Sequence, residues 1–104
     1  MDGANVYLLE CCDGSLYCGI TRRSMEERLS EHQLGTLDGY TARRRPVRLL
    51  WSEHFVNLTD AITCERRIKG WSRAKKQALA AGDWRLLQEL AVAHRDRASP
   101  DVSP

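Results

Sequence analysis

The stretch VYLLECCDGSLYCGIT, residues 6–21, decides the fold, because its turn can be closed in two registers that sort the side chains differently. A two-residue Asp13-Gly14 turn pairs Cys12 with Ser15 and sends Tyr7 and Tyr17 to opposite faces. A three-residue loop, Cys12-Asp13-Gly14, puts glycine at the left-handed position of a bulged turn. It pairs Cys11 with Ser15, Leu9 with Tyr17 and Tyr7 with Gly19. Because side chains alternate along a strand, one residue of slip moves every side chain to the other face. The second register collects Val6, Leu8, Leu16, Cys18 and Ile20 on one nearly pure apolar face, with Glu10 near its end. Tyr7, Leu9, Cys11, Ser15, Tyr17 and Gly19 share the other. The three-residue loop is the expectation, with both phenols on one face and an open space where Gly19 stands opposite Tyr7.

Working outward, residues 4–12 and 15–21 read as two strands. A helix follows, with Ser24 as N-cap, Glu27 completing a capping box and Gly35 as its stop. Residues 36–46 form a basic loop ending at Pro46, and VRLLWSEHF (47–55) reads as a third strand. Thr59 is the expected cap of a helix running to about Lys69, and Ser72 and Asp83 cap two more. The order ββ-α-β-α-α-α describes an α+β domain with a small sheet and an extra C-terminal helix. The expected division is a domain over 1–82, a helix over 83–95 packed on it and a disordered tail over 96–104.

The 104 residues suffice for one domain, and 42% hydrophobic against 29% charged residues describes a globular chain. No apolar run approaches the ~20 residues that span a bilayer, and the N-terminus lacks a signal pattern, so no membrane partner and a cytoplasmic location are expected. Cys11, Cys12, Cys18 and Cys64 lack the paired spacing of a zinc ribbon and read as reduced thiols. The net charge of +2 conceals an imbalance. Residues 39–76 carry ten basic groups against three acidic ones, whereas the remainder carries six against eleven. Arg43, Arg44 and Arg45 are adjacent, and their mutual repulsion calls for phosphate or acidic partners. His54 and His94 have no companions and read as structural; Trp51, Trp71 and Trp84 read as core anchors, with base stacking the alternative for an exposed one.

The two later helices point at the phenols. Arg28 and His32, four apart, share a face at the edge of the apolar stripe beside Met25 and Leu29. Glu65 falls inside the apolar arc of Ala61, Cys64 and Ile68, where an acid needs a partner. A metal ion is one candidate; Lys69, four residues on, is the simpler one.

In these residues the chain resembles the GIY-YIG nuclease family, its small single-domain bacterial members in particular. NVY (5–7) and YCG (17–19) stand at the two tripeptides, followed by Arg28, His32 and Glu65 in order. GYTARRRPVRLLWSEHF and AITCERRIKGWSRAKKQAL add to the likeness, which covers residues 4 to 82. The resemblance implies a three-stranded antiparallel sheet flanked by helices and metal-dependent hydrolysis of DNA phosphodiesters, with DNA repair a corresponding role. By motif position Tyr7 would be the general base or orient the attacking water, and Tyr17 and His32 would touch the scissile phosphate or help move protons. Arg28 would stabilise phosphate charge, and Glu65 would hold one Mg²⁺ or Mn²⁺. Lys69, Tyr40, Gly19, Arg43, Arg44 and Arg45 complete the expected DNA-binding set. A free phenol, with a pKa of ~10, is scarcely ionised at neutral pH, and Arg28 with a metal would favour its phenolate.

Larger members add an asparagine after the glutamate helix and a fused DNA-binding domain. No asparagine follows Asn57 here, so a protein partner supplying specificity is expected, and the DNA can be single-stranded or branched. The rival reading is a nucleic-acid-binding module of the same fold with little or no cleavage. A third is an adaptor that docks a protein on Leu86, Leu87, Leu90 and Ala91.

Overall fold

In the computed structural model, residues 3–36 and 39–89 are described. Strand β1 (Ala4–Glu10) lies between β2 (Leu16–Thr21) and β3 (Arg48–Phe55) in an antiparallel sheet of order β2-β1-β3. Helix α1 (Met25–Leu34) separates β2 from β3, and α2 (Leu58–Lys69) and α3 (Arg73–Ala81) follow. Residues 84–89 are helical as well, with Asp83 Oδ1 accepting from the Leu86 N–H at 3.0 Å. The remainder of the expected C-terminal helix and tail, from residue 90, lies outside the described residues.

The hairpin closes in the three-residue register. Tyr7 pairs with Gly19 and Leu9 with Tyr17. The Cys11 N–H donates to the Ser15 carbonyl at 2.9 Å, and Gly14 takes φ +83°. Cys11 and Cys12 thus follow the strand rather than ending it. Asp13 Oδ1 accepts from the Ser15 N–H at 3.0 Å, a local bond that rigidifies the turn.

The central strand β1 is buried on both faces, which the alternation of the hairpin alone does not reveal. Val6, Leu8 and Cys18 join Ala61, Ile68 and Leu79 in one cluster under α2 and α3. On the opposite face Tyr7, Leu9, Cys11 and Val47 pack with Tyr17, Met25 and Leu29 under α1. The space expected beside Gly19 is therefore filled: a Cβ built there would strike the Tyr7 ring, with Cε1 2.8 Å away. Glycine is needed at this position so that the Tyr7 phenol can lie across the neighbouring strand.

The helix caps follow the sequence with one exception. Ser24 accepts from the Glu27 N–H at 3.2 Å, and Gly35 ends α1 at φ 71°. Helix α2 is capped by Asn57, not by the expected Thr59; the Asn57 side chain accepts from Thr59 and Asp60 N–H groups. Asparagine in extended backbone is as good a cap as threonine, and it stands two residues earlier. Trp51 and Trp71 pack against the first cluster, whereas Trp84 is 59% exposed and anchors nothing there. Leu87, beside it, does pack on that cluster.

Candidate active site

The phenol of Tyr7 is buried, 2% exposed, and its hydroxyl lies 2.8 Å from His32 Nε2. His32, the one buried residue of α1, continues the chain through Nδ1 to Thr41 Oγ1 at 2.6 Å. Thr41 is itself 2% exposed. A neutral imidazole has one N–H, so two arrangements satisfy all three groups. Either Tyr7 donates to Nε2 while Nδ1–H donates to Thr41, or Thr41 donates to Nδ1 while Nε2–H donates to Tyr7. Sequence reading missed Thr41, because a threonine in a basic loop carries no chemical signature. The signal available was its place beside Tyr40 in that loop.

Electrostatics keep both partners neutral. Burial pushes the Tyr7 phenol well above its ordinary 10.0, and nearby Tyr17 adds to this; Arg28 opposes and does not prevail. The expected pull of Arg28 toward a phenolate is thus outweighed by desolvation. Burial, then the Arg28 charge, holds His32 below its ordinary 6.5.

Tyr17 completes an aromatic cluster. Its ring meets Tyr7 at 6.3 Å and His32 at 5.6 Å, and stacks on Tyr40 at 6.0 Å with a 20° interplanar angle. The guanidinium carbon of Arg44 lies 3.9 Å from the centroid of the Tyr40 ring. The Arg44 Nε also donates to Asp13 Oδ2 at 3.1 Å, and its backbone carbonyl accepts from the Cys12 N–H at 2.9 Å. The basic loop is thereby stitched to the hairpin turn. At its other end Arg45 donates to the Ala42 and Gln33 carbonyls, and the Gln33 side chain bonds both backbone groups of Val47. Two of the three adjacent arginines are therefore occupied within the protein, Arg44 by a carboxylate and Arg45 by carbonyls. Arg43 is exposed and has no ion-pair partner among the described residues.

Arg28 reaches toward the same cluster from α1. Its Nε stands 3.6 Å from Glu31 Oε1, and both atoms are buried without a hydrogen-bond partner. That is a donor left over in a charged site. Glu65 comes from the opposite side of the sheet, on α2, and its carbonyl accepts from Cys18 Sγ at 3.9 Å. It is 8% exposed, and its Oε2 meets Lys69 Nζ at 2.6 Å. The partner that an acid among apolar residues needs is thus the i,i+4 lysine. Because β2 is an edge strand, α1 and α2 both border it, and the charge of Lys69 is influenced by Tyr17 and Cys18 as well as Glu65. Cys18, desolvated beside Glu65, has its thiol pushed up to about 12 and stays protonated. His54 bonds Asn5 at 3.1 Å, away from the site, and His94 lies outside the described residues.

The pattern of the GIY-YIG catalytic domain matches residues 4–78. The chain belongs to the GIY-YIG family. It is 40% identical over 88 residues to a UPF0213 protein of Bacillus pumilus, covering 85% of this chain and 88% of that one. With a UPF0213 protein of Halobacterium salinarum it shares 43% over 75 residues, covering 72% and 96%. A solution structure of an Enterococcus faecalis protein (E. faecalis EF2693) superposes with a TM-score of 0.52 at 33% identity, covering 95% of this chain and 94% of that one. That of a UPF0213 protein from Bacillus halodurans gives 0.51 at 37% identity, covering 76% and 83%. Membership in the GIY-YIG family brings a nuclease-like, nucleic-acid-binding fold. No helix among the described residues is long and apolar enough to cross a membrane.

Proposed function

We propose that the protein is a metal-dependent endonuclease that hydrolyses DNA phosphodiester bonds. The observation that carries this reading is the buried chain Thr41–His32–Tyr7, ending in a phenol whose hydroxyl lies 2.8 Å from an imidazole nitrogen, which accepts the phenolic proton when Nδ1 carries the ring hydrogen. Since Tyr7 is held neutral, it acts as a relay rather than as a standing phenolate. As an attacking water gives its proton to the Tyr7 oxygen, the phenolic proton passes to His32 Nε2, and the imidazolium is left facing Thr41. Arg28, with an unused donor, binds the phosphate and stabilises the charge that grows on it. Tyr17, packed edge-on against His32, contacts the same phosphate, and Lys69 and Arg43 extend the cationic surface.

A divalent ion fits this donor set only in company with substrate. Glu65 offers one carboxylate, and among the described residues no group of three or more His, Cys, Asp or Glu could hold a metal. Mg²⁺ commonly binds through one or two carboxylates, substrate phosphate and water, so Glu65 would hold it once DNA is present. The ion then supplies charge neutralisation at the phosphate.

The test is Mn²⁺-dependent nicking of plasmid DNA by wild type and Tyr7→Phe, with affinity for the same DNA measured in EDTA. The variant should nick at least a hundredfold more slowly, about 2.7 kcal/mol of barrier, and bind equally well. Wild type that binds DNA yet leaves single-stranded, duplex and branched substrates intact would refute the proposal. That outcome would support the second reading, a binding module, which the Glu65–Lys69 pair at 2.6 Å favours.

A further inference from the structure

Beside the candidate active site, a groove of about 430 Å³ runs between the end of β2 and the first turns of α1 and α2. Ile20, Leu58 and Ile62 give it an apolar floor, Thr21 adds one buried hydroxyl, and Arg22, Arg23 and Arg28 stand around it. Among the described lining residues there is no acid. Arg23 pairs with Glu27 at 3.6 Å, an exposed contact, and Arg28 with Glu31 at 3.6 Å; Arg22 is exposed and has no ion-pair partner among the described residues.

We propose that this groove is a nucleotide subsite, which takes one unpaired nucleobase of the DNA strand flanking the scissile phosphate. The inference rests on the nuclease reading for the position of that phosphate. Three features argue for it. The floor is largely aliphatic and open to solvent, suited to a flat apolar ring face, and its one hydroxyl, that of the buried Thr21, already accepts from the Arg23 N–H at 3.0 Å. The charged residues of the lining are all cationic, complementary to the phosphates on either side of such a base. The groove also shares Arg28 with the reaction site, where the same guanidinium acts on Tyr7 and His32. On α2, Leu58, Ile62 and Glu65 follow one another at spacings of four and three residues, so they share a face. Ile62 and Glu65 lie about 4.5 Å apart along the axis. A strand whose phosphate sits by Arg28 and Glu65 therefore presents its neighbouring base to Ile62. A paired, stacked base cannot turn into such a groove without leaving its duplex. The substrate class that fits is single-stranded DNA or DNA with an unpaired nucleotide at the cleavage point.

The experiment compares a 12-nucleotide oligo(dT) with a 12-nucleotide strand of abasic tetrahydrofuran units. The two carry equal charge, and fluorescence anisotropy is read in EDTA at fixed salt. Wild type should bind oligo(dT) about tenfold more tightly than the abasic strand. Ile62→Ser should reduce that ratio to within twofold while leaving affinity for the abasic strand unchanged. Ile62 belongs to neither core cluster, so the change should leave the circular dichroism spectrum intact. Should Ile62→Ser lose structure, Ile62→Thr, which keeps the branched shape, carries the same expectation. Equal binding of both strands by wild type would overturn the proposal. So would a preference that survives at Ile62 and is lost in Tyr40→Ala, since the exposed tyrosine would then be the base contact. No cleavage is read, so a protein that never nicks still reports on the groove. A nicking protein indifferent to bases would refute the groove and leave the nuclease reading standing.

Discussion

Replacing Thr41 by valine tests the buried chain at its least conspicuous member. The change keeps the branched shape and deletes one oxygen, at a site 2% exposed to solvent. His32 Nδ1 loses its 2.6 Å partner, and water has little access to replace it. Leaving a buried polar atom unsatisfied costs roughly 1–3 kcal/mol, so a loss near 2 is expected. For a domain of this size that is a fall in Tm of roughly 10 °C. The second consequence is chemical. The relay requires the arrangement in which Nδ1–H donates to Thr41; without that acceptor Nδ1 is better left unprotonated, and the imidazole proton moves to Nε2. That nitrogen can no longer take the Tyr7 proton, so nicking should fall by roughly ten- to a hundredfold, about 1.4–2.7 kcal/mol of barrier. Affinity for DNA in EDTA should be unchanged, and Thr41→Ser should recover most of both losses. Thermal unfolding by circular dichroism and a Mn²⁺ nicking assay measure the two effects separately. Wild-type stability in Thr41→Val would refute the hydrogen bond, and wild-type nicking would refute the tautomer argument.

Glu65→Gln should cut nicking by two orders of magnitude or more while DNA affinity in EDTA holds or tightens. Apo-protein stability should move by only ~0.5 kcal/mol, because Lys69 is 55% exposed and water screens the pair; equal nicking by both proteins would sink the metal assignment. His32 is held below 6.5 by burial, so below that pH the unfolded chain takes up a proton that the folded one refuses. Stability should therefore be full above pH 6.5 and fall as pH drops toward the depressed value, by about 1.4 kcal/mol per unit from this group. Urea unfolding of His32→Gln between pH 7 and 5 should lack that component, and matching curves would count against it. Arg43→Ala should lower the salt slope of DNA binding by roughly 0.9, as one lost phosphate contact does. Arg44→Ala should lower it less and lower Tm as well, since Arg44 holds Asp13 and Tyr40; the opposite ranking would reverse their roles.

Much of the fold was legible because hydrophobic alternation and turn chemistry agree in the hairpin. The register followed from asking which pairing leaves one clean apolar face, and Gly14 at φ +83° is its signature. The second core was not legible, since Tyr7, Leu9, Cys11 and Tyr17 read as a mixed face until α1 covers them. Of the candidate site, the sequence motif pointed to Tyr7, Tyr17, Arg28, His32 and Glu65. What it could not name is who satisfies whom. Asp13 and Arg44 are 31 residues apart and meet only after the loop folds back. Thr41 acquires its part in the same way, through a bond that spacing cannot encode. Local rules reach as far as helix caps and strand faces; tertiary contacts assign the rest.

The position of β2 at the margin of the sheet has a practical consequence for experiments on this protein. An unpaired strand edge offers its backbone amides and carbonyls to any other extended chain, and natural proteins guard such edges with charge. Here the guard is a short edge of six residues followed at once by Arg22 and Arg23, with Lys69 close to Tyr17 and Cys18. The cations that would greet a phosphate backbone also keep one molecule from docking strand to strand on the next. Stripping them to abolish DNA binding removes both services together. Multiply neutralised variants should therefore be run on a sizing column before a lost signal is attributed to lost DNA contacts, because self-association along this margin would produce the same silence.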